Sequence, residues 1–360
     1  MVRYNDRKRL DNEERERMID IKDLNKYERD FSTYYGGRSG SKYAIIIDGE
    51  RWMIKFPENT KDFLGREKKN AHLPSYTASP LSEYIGSQIY QSLGIPVHET
   101  MLGIRDNKLV VACKDFDPLH RLIEYGQIKN SLTDTEVELA HSSSGQQGEA
   151  LSDVLNVISA APVFQKTPGV KERFWDMFVV DAFIRNNDRN NGNWGIFINA
   201  DGTGKMAPVY DNGNCLFNKR NPSVAERRIA NERDIYQDAL GTGVSFFTDK
   251  NDKNIHPFQY IESAENPDCT DALLRFVKHL DVREIDRIVE EIPENFQDIQ
   301  IITAVQKEHY KEVFHMMLNK SIFPTVENFQ RKKQKTYQLD DVKLERVELN
   351  ELVQDEELEL

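Results

Sequence analysis

The stretch "NNDRNNGNWG", Asn186 to Gly195, decides how the rest of this sequence is read. It carries five asparagines, one aspartate and one arginine, and it follows, after Arg185, on the apolar run "FWDMFVVDAFI" (174–184). Asn, Asp and Gly favour turns because their short side chains bond nearby backbone, so a polar turn accounts for the composition. A sharper reading is a loop that positions a metal and a proton acceptor. Downstream come "WGIFI" (194–198), the turn-rich "NADGTGK" (199–205), "MAPVY" (206–210) and "DNG" (211–213). The two apolar runs pair as a hairpin, and with Ile198 opposite Met206, Asn193 comes beside Asp211 at its open end. An amide oxygen and a carboxylate suit Mg²⁺, which takes a few protein oxygens plus phosphates. Asp188 lies close enough in sequence to reach a nucleophile near the same metal. Phosphoryl transfer needs little more than positioning and charge neutralisation. In that layout Asp188 orients the attacking hydroxyl, and Asn193 and Asp211 hold the metal.

The first half supplies matching parts. "YAIIIDGERWMIKF" (43–56) reads as two strands around Asp48-Gly49, a strong hairpin signal. Before it, "YYGGRSGSK" (34–42) is a Gly-rich loop. Gly36, Gly37 and Gly40, with Ser39 and Ser41 between and after them, allow backbone amides to face phosphate oxygens; a flexible linker has the same composition. Lys55 ends the second strand, where it either snorkels to the edge or pairs with phosphates and a helix glutamate. The helix is "SPLSEYIGSQIYQSLG" (79–94), with Ser79 expected as N-cap, Pro80 at the first helical position and Gly94 as stop. Glu83 is the candidate partner of Lys55. "KLVVACKDF" (108–116) reads as a further strand.

After about residue 118 the pattern becomes helical: "LSDVLNVI", "VKERFWDMFVVDAFI", "DCTDALLRFVKHL" and "HYKEVFHMML" are helix candidates. The polar segment 132–150 reads as an exposed, flexible insertion. We therefore expect an α+β chain in two lobes around a cleft: an N-lobe at 27–117 and a C-lobe at 118–330. Residues 1–26 read as a charged extension, solvated or mobile, and 331–360 as a basic then acidic tail.

The bulk numbers narrow the function. The chain has 360 residues, 39% hydrophobic and 30% charged, with a formal net charge of -12. Such acidity opposes general nucleic-acid binding, and "RKKQK" (331–335) alone reads as a solvated linker. Three cysteines far apart, Cys113, Cys215 and Cys269, disfavour disulfides and structural zinc and fit a reducing compartment. No apolar run approaches the roughly 20 residues of a membrane span, and the N-terminus lacks a conventional signal peptide. The expected location is the cytoplasm of the producing cell, with delivery to another cell left open.

Taken together, the sequence resembles the HipA-like Ser/Thr kinases, most closely the CtkA-type members. The matching stretches are "GGRSGSK", "MIKFP", "SEYIGSQIYQSLGIPVHETMLG", "VVACKDF", "FWDMFVVDAFIRNNDRNNGNWG", "APVYDNGNCL" and "DALLRF", in family order over roughly residues 30–324. The resemblance implies a bilobal protein-kinase-like fold, ATP and Mg²⁺, and phosphorylation of Ser or Thr, on itself included. It implies that Lys55 contacts ATP phosphates, Glu83 orients it, Asp188 is catalytic, and Asn193 and Asp211 bind Mg²⁺. It puts a hinge at "VVACKDF", with backbone near Ala112, Cys113 and Lys114 meeting adenine. Two departures stand out. The family usually has histidine where this chain has Asn190, and its regulatory loop serine has no clean counterpart near Tyr35. The partners it implies are a protein substrate, and an antitoxin or host protein depending on whether the role is toxin or effector. Two other readings keep some of the same residues: a kinase fold acting on a small-molecule or lipid hydroxyl, and a nucleotide-binding interaction module without catalysis.

Overall fold

The computed structural model describes residues 18–33, 41–58, 77–119, 121–132 and 148–332. Gly36, Gly37, Ser39, Gly40, most of the polar insertion and the tail beyond residue 332 lie outside these.

The strand-rich half is a six-stranded sheet. Its strands are β1 (Lys22–Asp23), β2 (Arg29–Asp30), β3 (Lys42–Ile47), β4 (Glu50–Lys55), β5 (Thr100–Arg105) and β6 (Lys108–Lys114), in the order β1-β5-β6-β4-β3-β2. Asp48 and Gly49 turn β3 into β4 with φ of 50° and 82°, the left-handed pair that a tight two-residue hairpin demands. Alternation then divides the side chains. Leu24, Ile45, Ile47, Trp52, Ile54, Val110 and Ala112 form a small core on one face. Leu102, Ile104, Val111 and Cys113 join the main core with Leu81, Ile85 and Ile89 of α1 (Ser79–Ser92). That helix starts at Ser79 with Ala78 as its cap, one residue from expectation, and the Ser79 hydroxyl meets Thr77 instead. Gly94 stops it at φ 72°.

Two expectations about the ends are corrected. Residues 18–26 are not a solvated extension: β1 pairs parallel with β5, and Ile21 and Leu24 are buried, because their apolar side chains close the sheet's open edge. The insertion expected to be exposed up to residue 150 ends in a buried strand, β8 (Glu149–Ala150), paired with Phe247–Thr248. Glu149 is drawn inside by Lys129 at 3.0 Å and by the Tyr125 hydroxyl at 2.8 Å.

The helical half is built around α4 (Val170–Ile184), buried on nearly every side as an all-round apolar helix must be. It packs on α6 (Pro267–His279), and α8 (Ala304–Met317) and α3 (Leu151–Ala160) flank it; α7 (Val282–Glu290) reaches α1 and joins the halves. Arg185 ends α4 in the left-handed conformation and starts the Asn-rich loop. Then β9 (Gly195–Ile198) and β10 (Gly204–Met206) form the expected hairpin, with β7 (Leu122–Glu124) on the other edge. The register differs by two: Ile198 faces Gly204 and Met206 faces Ile196. Because the side-chain period is two, the same face stays buried. Gly195 is required here, since a Cβ would lie 2.2 Å from the Ile123 carbonyl oxygen. No helix among the described residues is long and apolar enough to cross a membrane.

Candidate active site

Lys55 leaves the end of β4 and places its ammonium between two carboxylates, 2.8 Å from Glu83 Oε2 and 2.9 Å from Asp211 Oδ1. Glu83 is buried on α1, so its charge must be fully met. Its other oxygen, Oε1, accepts from the Asn212 backbone N–H at 2.8 Å and lies 2.9 Å from His98 Nε2. Burial opposes ionisation of Glu83, but the Lys55 charge and the His98 contact outweigh it and hold the carboxyl well below its ordinary range. Burial likewise opposes a charged Lys55, and Asp211 and Glu83 overcome it.

A second network fixes the Asn-rich loop. The Arg189 guanidinium donates to both oxygens of Asp181 on α4, at 2.8 and 2.9 Å. It also donates to Asn193 O at 2.9 Å, Tyr210 O at 2.6 Å and Asn212 Oδ1 at 2.7 Å. Arg189 therefore ties the loop to the segment carrying Asp211, a join expected of strand register alone. Asn212 carries the connection back to α1, donating its side-chain amide to Ser87 Oγ at 3.1 Å. Tyr90 of α1 donates to Asp181 Oδ1 at 2.8 Å.

The remaining loop residues divide as their chemistry allows. Asn186 keeps the turn role, its Oδ1 accepting from the Asp188 N–H at 3.1 Å. Asn187 meets Asn214, and the Asn191 carbonyl accepts from Gly126 at 2.8 Å. Asn193 donates its amide to the Asp188 carbonyl at 2.6 Å, and among the described residues its Oδ1 has no partner. Asp211 sits at φ 60° with a side chain 45% exposed. Asp188 is partly buried, and that burial, with the Asp211 charge adding to it, pushes its carboxyl up against the opposing bond from Asn190.

Of the expected residues, Lys55, Glu83 and Asp211 are in contact, and Asp188 and Asn193 share the adjoining loop. Ser41 is exposed at the start of β3. Ala112, Cys113 and Lys114, expected near adenine, have backbone N–H groups engaged within the protein. β6 is an interior strand, paired with β4 and β5 at Ala112 and Cys113, and the Lys114 N–H bonds Glu99 O at 2.9 Å. The first N–H past them without a partner among the described residues is that of Phe116.

Several residues escaped the sequence reading. Lys42 lies directly opposite Lys55 in the β3–β4 register, where burial and the Lys55 charge push its ammonium down. Its place right after the Gly-rich loop was the available signal. Asp181 was legible as an acid inside an apolar helix. His98 and Asn212 gave none. Glu83, His98 and Cys113 place ligand-type atoms within 4.8 Å of one another. Glu83 is already saturated by Lys55, Asn212 and His98, and burial keeps the Cys113 thiol protonated, so we read the trio as core packing.

Residues 38–298 match the family model of the HipA-like C-terminal domain. The chain belongs to this family. It is 34% identical over 289 residues to a serine/threonine-protein kinase, CtkA, of Helicobacter pylori, covering 79% of this chain and 80% of that protein. The crystal structure of a Helicobacter pylori proinflammatory kinase CtkA superposes with a TM-score of 0.70 at 29% identity, covering 86% of this chain and 97% of that one. A toxin–antitoxin complex of HipA, HipB and operator DNA from Shewanella oneidensis is far looser, with a TM-score of 0.38 at 13% identity over 80% of this chain and 66% of that one. The α+β, two-part architecture is thus that of the HipA-like kinases.

Proposed function

We propose that this protein is an ATP-dependent protein serine/threonine kinase that also phosphorylates itself. The observation that carries the reading is the Lys55 ammonium, which joins Glu83 of α1 to Asp211 beyond β10. The reading sets an N-lobe ending near residue 117 against a C-lobe ending near 330, with nucleotide between them. Lys55 meets ATP phosphates and Glu83 keeps it in place; Lys42 adds a second cation beside it. Gly36, Gly37, Ser39, Gly40 and Ser41 remain the proposed loop over the phosphates. Adenine meets the chain at Phe116, whose ring lies 5.4 Å from that of Tyr210.

The donor set fits Mg²⁺: Asn193 Oδ1 and Asp211 Oδ2 are hard oxygens with no partner among the described residues. Asn193 and Asp211 would hold the ion there, and it would supply positive charge against the phosphates. Asp188 orients the acceptor hydroxyl and takes its proton as the new oxygen–phosphorus bond forms and ADP leaves. The buried Arg189–Asp181 pair holds the loop so that this geometry needs no rearrangement.

The test is phosphosite mapping of the wild type and Asp188→Ala after incubation with Mg²⁺ and ATP. Wild type is expected to carry phosphoserine or phosphothreonine, on itself or on an added protein, and the variant to incorporate at least about a hundredfold less. Undiminished incorporation by the variant would sink the assignment. Phosphate on an added lipid or small alcohol alone would move the acceptor class, and ATP binding without transfer would leave a binding module.

A further inference from the structure

Asn190, where the resemblance leads one to expect histidine, hydrogen-bonds the carboxylate of the proposed base. Asn190 Nδ2 donates to Asp188 Oδ1 at 2.9 Å, while Asn190 Oδ1 accepts from the Gly192 N–H at 2.9 Å. An amide carries a donor and an acceptor on one short arm, so both bonds form at once and the side chain cannot rotate without losing both. The Asp188 main chain is pinned separately, by Asn186 Oδ1 on its N–H and by Asn193 Nδ2 on its carbonyl. Among the described residues Asp188 Oδ2 has no hydrogen-bond partner. One carboxylate oxygen is therefore held and the other is left for a substrate.

We propose that Asn190 is a positioning residue for phosphoryl transfer: it fixes Asp188 through Oδ1 so that Oδ2 faces the acceptor hydroxyl. This rests on the kinase reading above and adds a role for the residue that departs from the family. Asn190 acts through Asp188 and not on the nucleotide. Among the described residues no other hydrogen bond holds the Asp188 carboxylate, and a displacement of about 1 Å at such a group costs up to about a hundredfold in rate.

The experiment measures kcat, KM for ATP and nucleotide Kd for wild type, Asn190→Ala, Asn190→Asp, Asp188→Asn and the Asp188→Asn/Asn190→Ala double variant. Asn190→Ala is expected to lower kcat by roughly tenfold to a hundredfold with KM and Kd for ATP within about twofold. Asn190→Asp retains the acceptor for Gly192 but turns the donor into a second carboxylate, so its loss is expected to be at least as large. In the Asp188→Asn background the alanine change is expected to cost nothing more, because residues acting as one unit are not additive. Unchanged ATP Kd in each variant shows that the fold is intact, and Asn190→Asp carries the test if the alanine variant does not fold. A raised KM or Kd with kcat preserved would make Asn190 a nucleotide ligand and overturn the proposal. Wild-type kcat in either single variant, or a fully additive double variant, would overturn it too. Wild-type activity of Asp188→Asn would instead remove the kinase reading of Asp188 itself.

Discussion

The hub around Asp181 and the pair Asp188 and Asp211 are both built on aspartates, yet they are finished differently. Asp181 has a side chain 6% exposed and accepts from Tyr90, Asn186 and twice from Arg189. Asp211, 45% exposed, bonds Lys55 through one oxygen, and Asp188 bonds Asn190 through one oxygen. A charge taken from water must have its lone pairs met inside the protein, or it costs several kcal/mol. A charge meant to meet a substrate must keep some unmet. Saturation marks the scaffold here, and the spare oxygen marks the chemistry.

The comparison can be broken most forcefully at the hub. Asp181→Ala leaves the Arg189 charge buried without its partner and is expected to cost about 3–5 kcal/mol, read by denaturant unfolding. A loss below about 1 kcal/mol would show that the hub is not structural. At the Asp188 and Asp211 pair the expectation inverts: Asp188→Ala should lose roughly 10²- to 10⁴-fold in phosphoryl transfer while unfolding within about 1 kcal/mol of wild type. Equal damage to stability at both sites would erase the distinction.

A second saturated hub sharpens it. Asp238 is buried and accepts from Arg220, Arg228 and His309. Burial opposes its ionisation, but bonds from His309 and the two arginines hold its carboxyl well below the ordinary value. A depressed acid adds stability that is complete above its unfolded pKa of about 4 and is lost as pH falls through the folded value. Wild type should lose stability as pH drops below about 4, and Asp238→Asn should flatten that slope; an unchanged slope would place the acid sensitivity elsewhere. The smallest effect belongs to the exposed Glu327–Arg331 pair at 3.3 Å, with side chains 62% and 71% exposed. Glu327→Ala should move stability by less than about 0.5 kcal/mol, since solvent screens such pairs. A larger shift would mean that exposure is a poor guide in this molecule.

Much of the site was legible because its residues sit on short, strongly patterned segments. Asp48-Gly49 announced the hairpin that ends in Lys55, and the apolar helix announced a buried element feeding the Asn-rich loop. The β9–β10 register was misjudged by two residues, since hairpin pairing follows from which side chains the core accepts and from the loop that forms between them. That Ala112 and Cys113, expected near adenine, lie inside a paired strand escaped the sequence for a similar reason. Whether a strand is interior or at an edge depends on pairing with β4 and β5, and no local signal reports that. The charged look of residues 18–26 hid two apolar residues whose burial depends on β5.

By itself the sequence determined the two halves, the hairpin turns, the main helices and the family resemblance, because each follows from local backbone preference or from motif spacing. Only the tertiary structure decided which polar groups are satisfied. Glu83, His98 and Asn212 come from three separate segments, as do Tyr90, Asp181 and Arg189, and they meet only when α1, α4 and the loop pack together. Burial makes those meetings obligatory, because in low dielectric an unmatched charge costs more than the contact gains, while one oxygen each of Asp188 and Asp211 keeps no partner among the described residues.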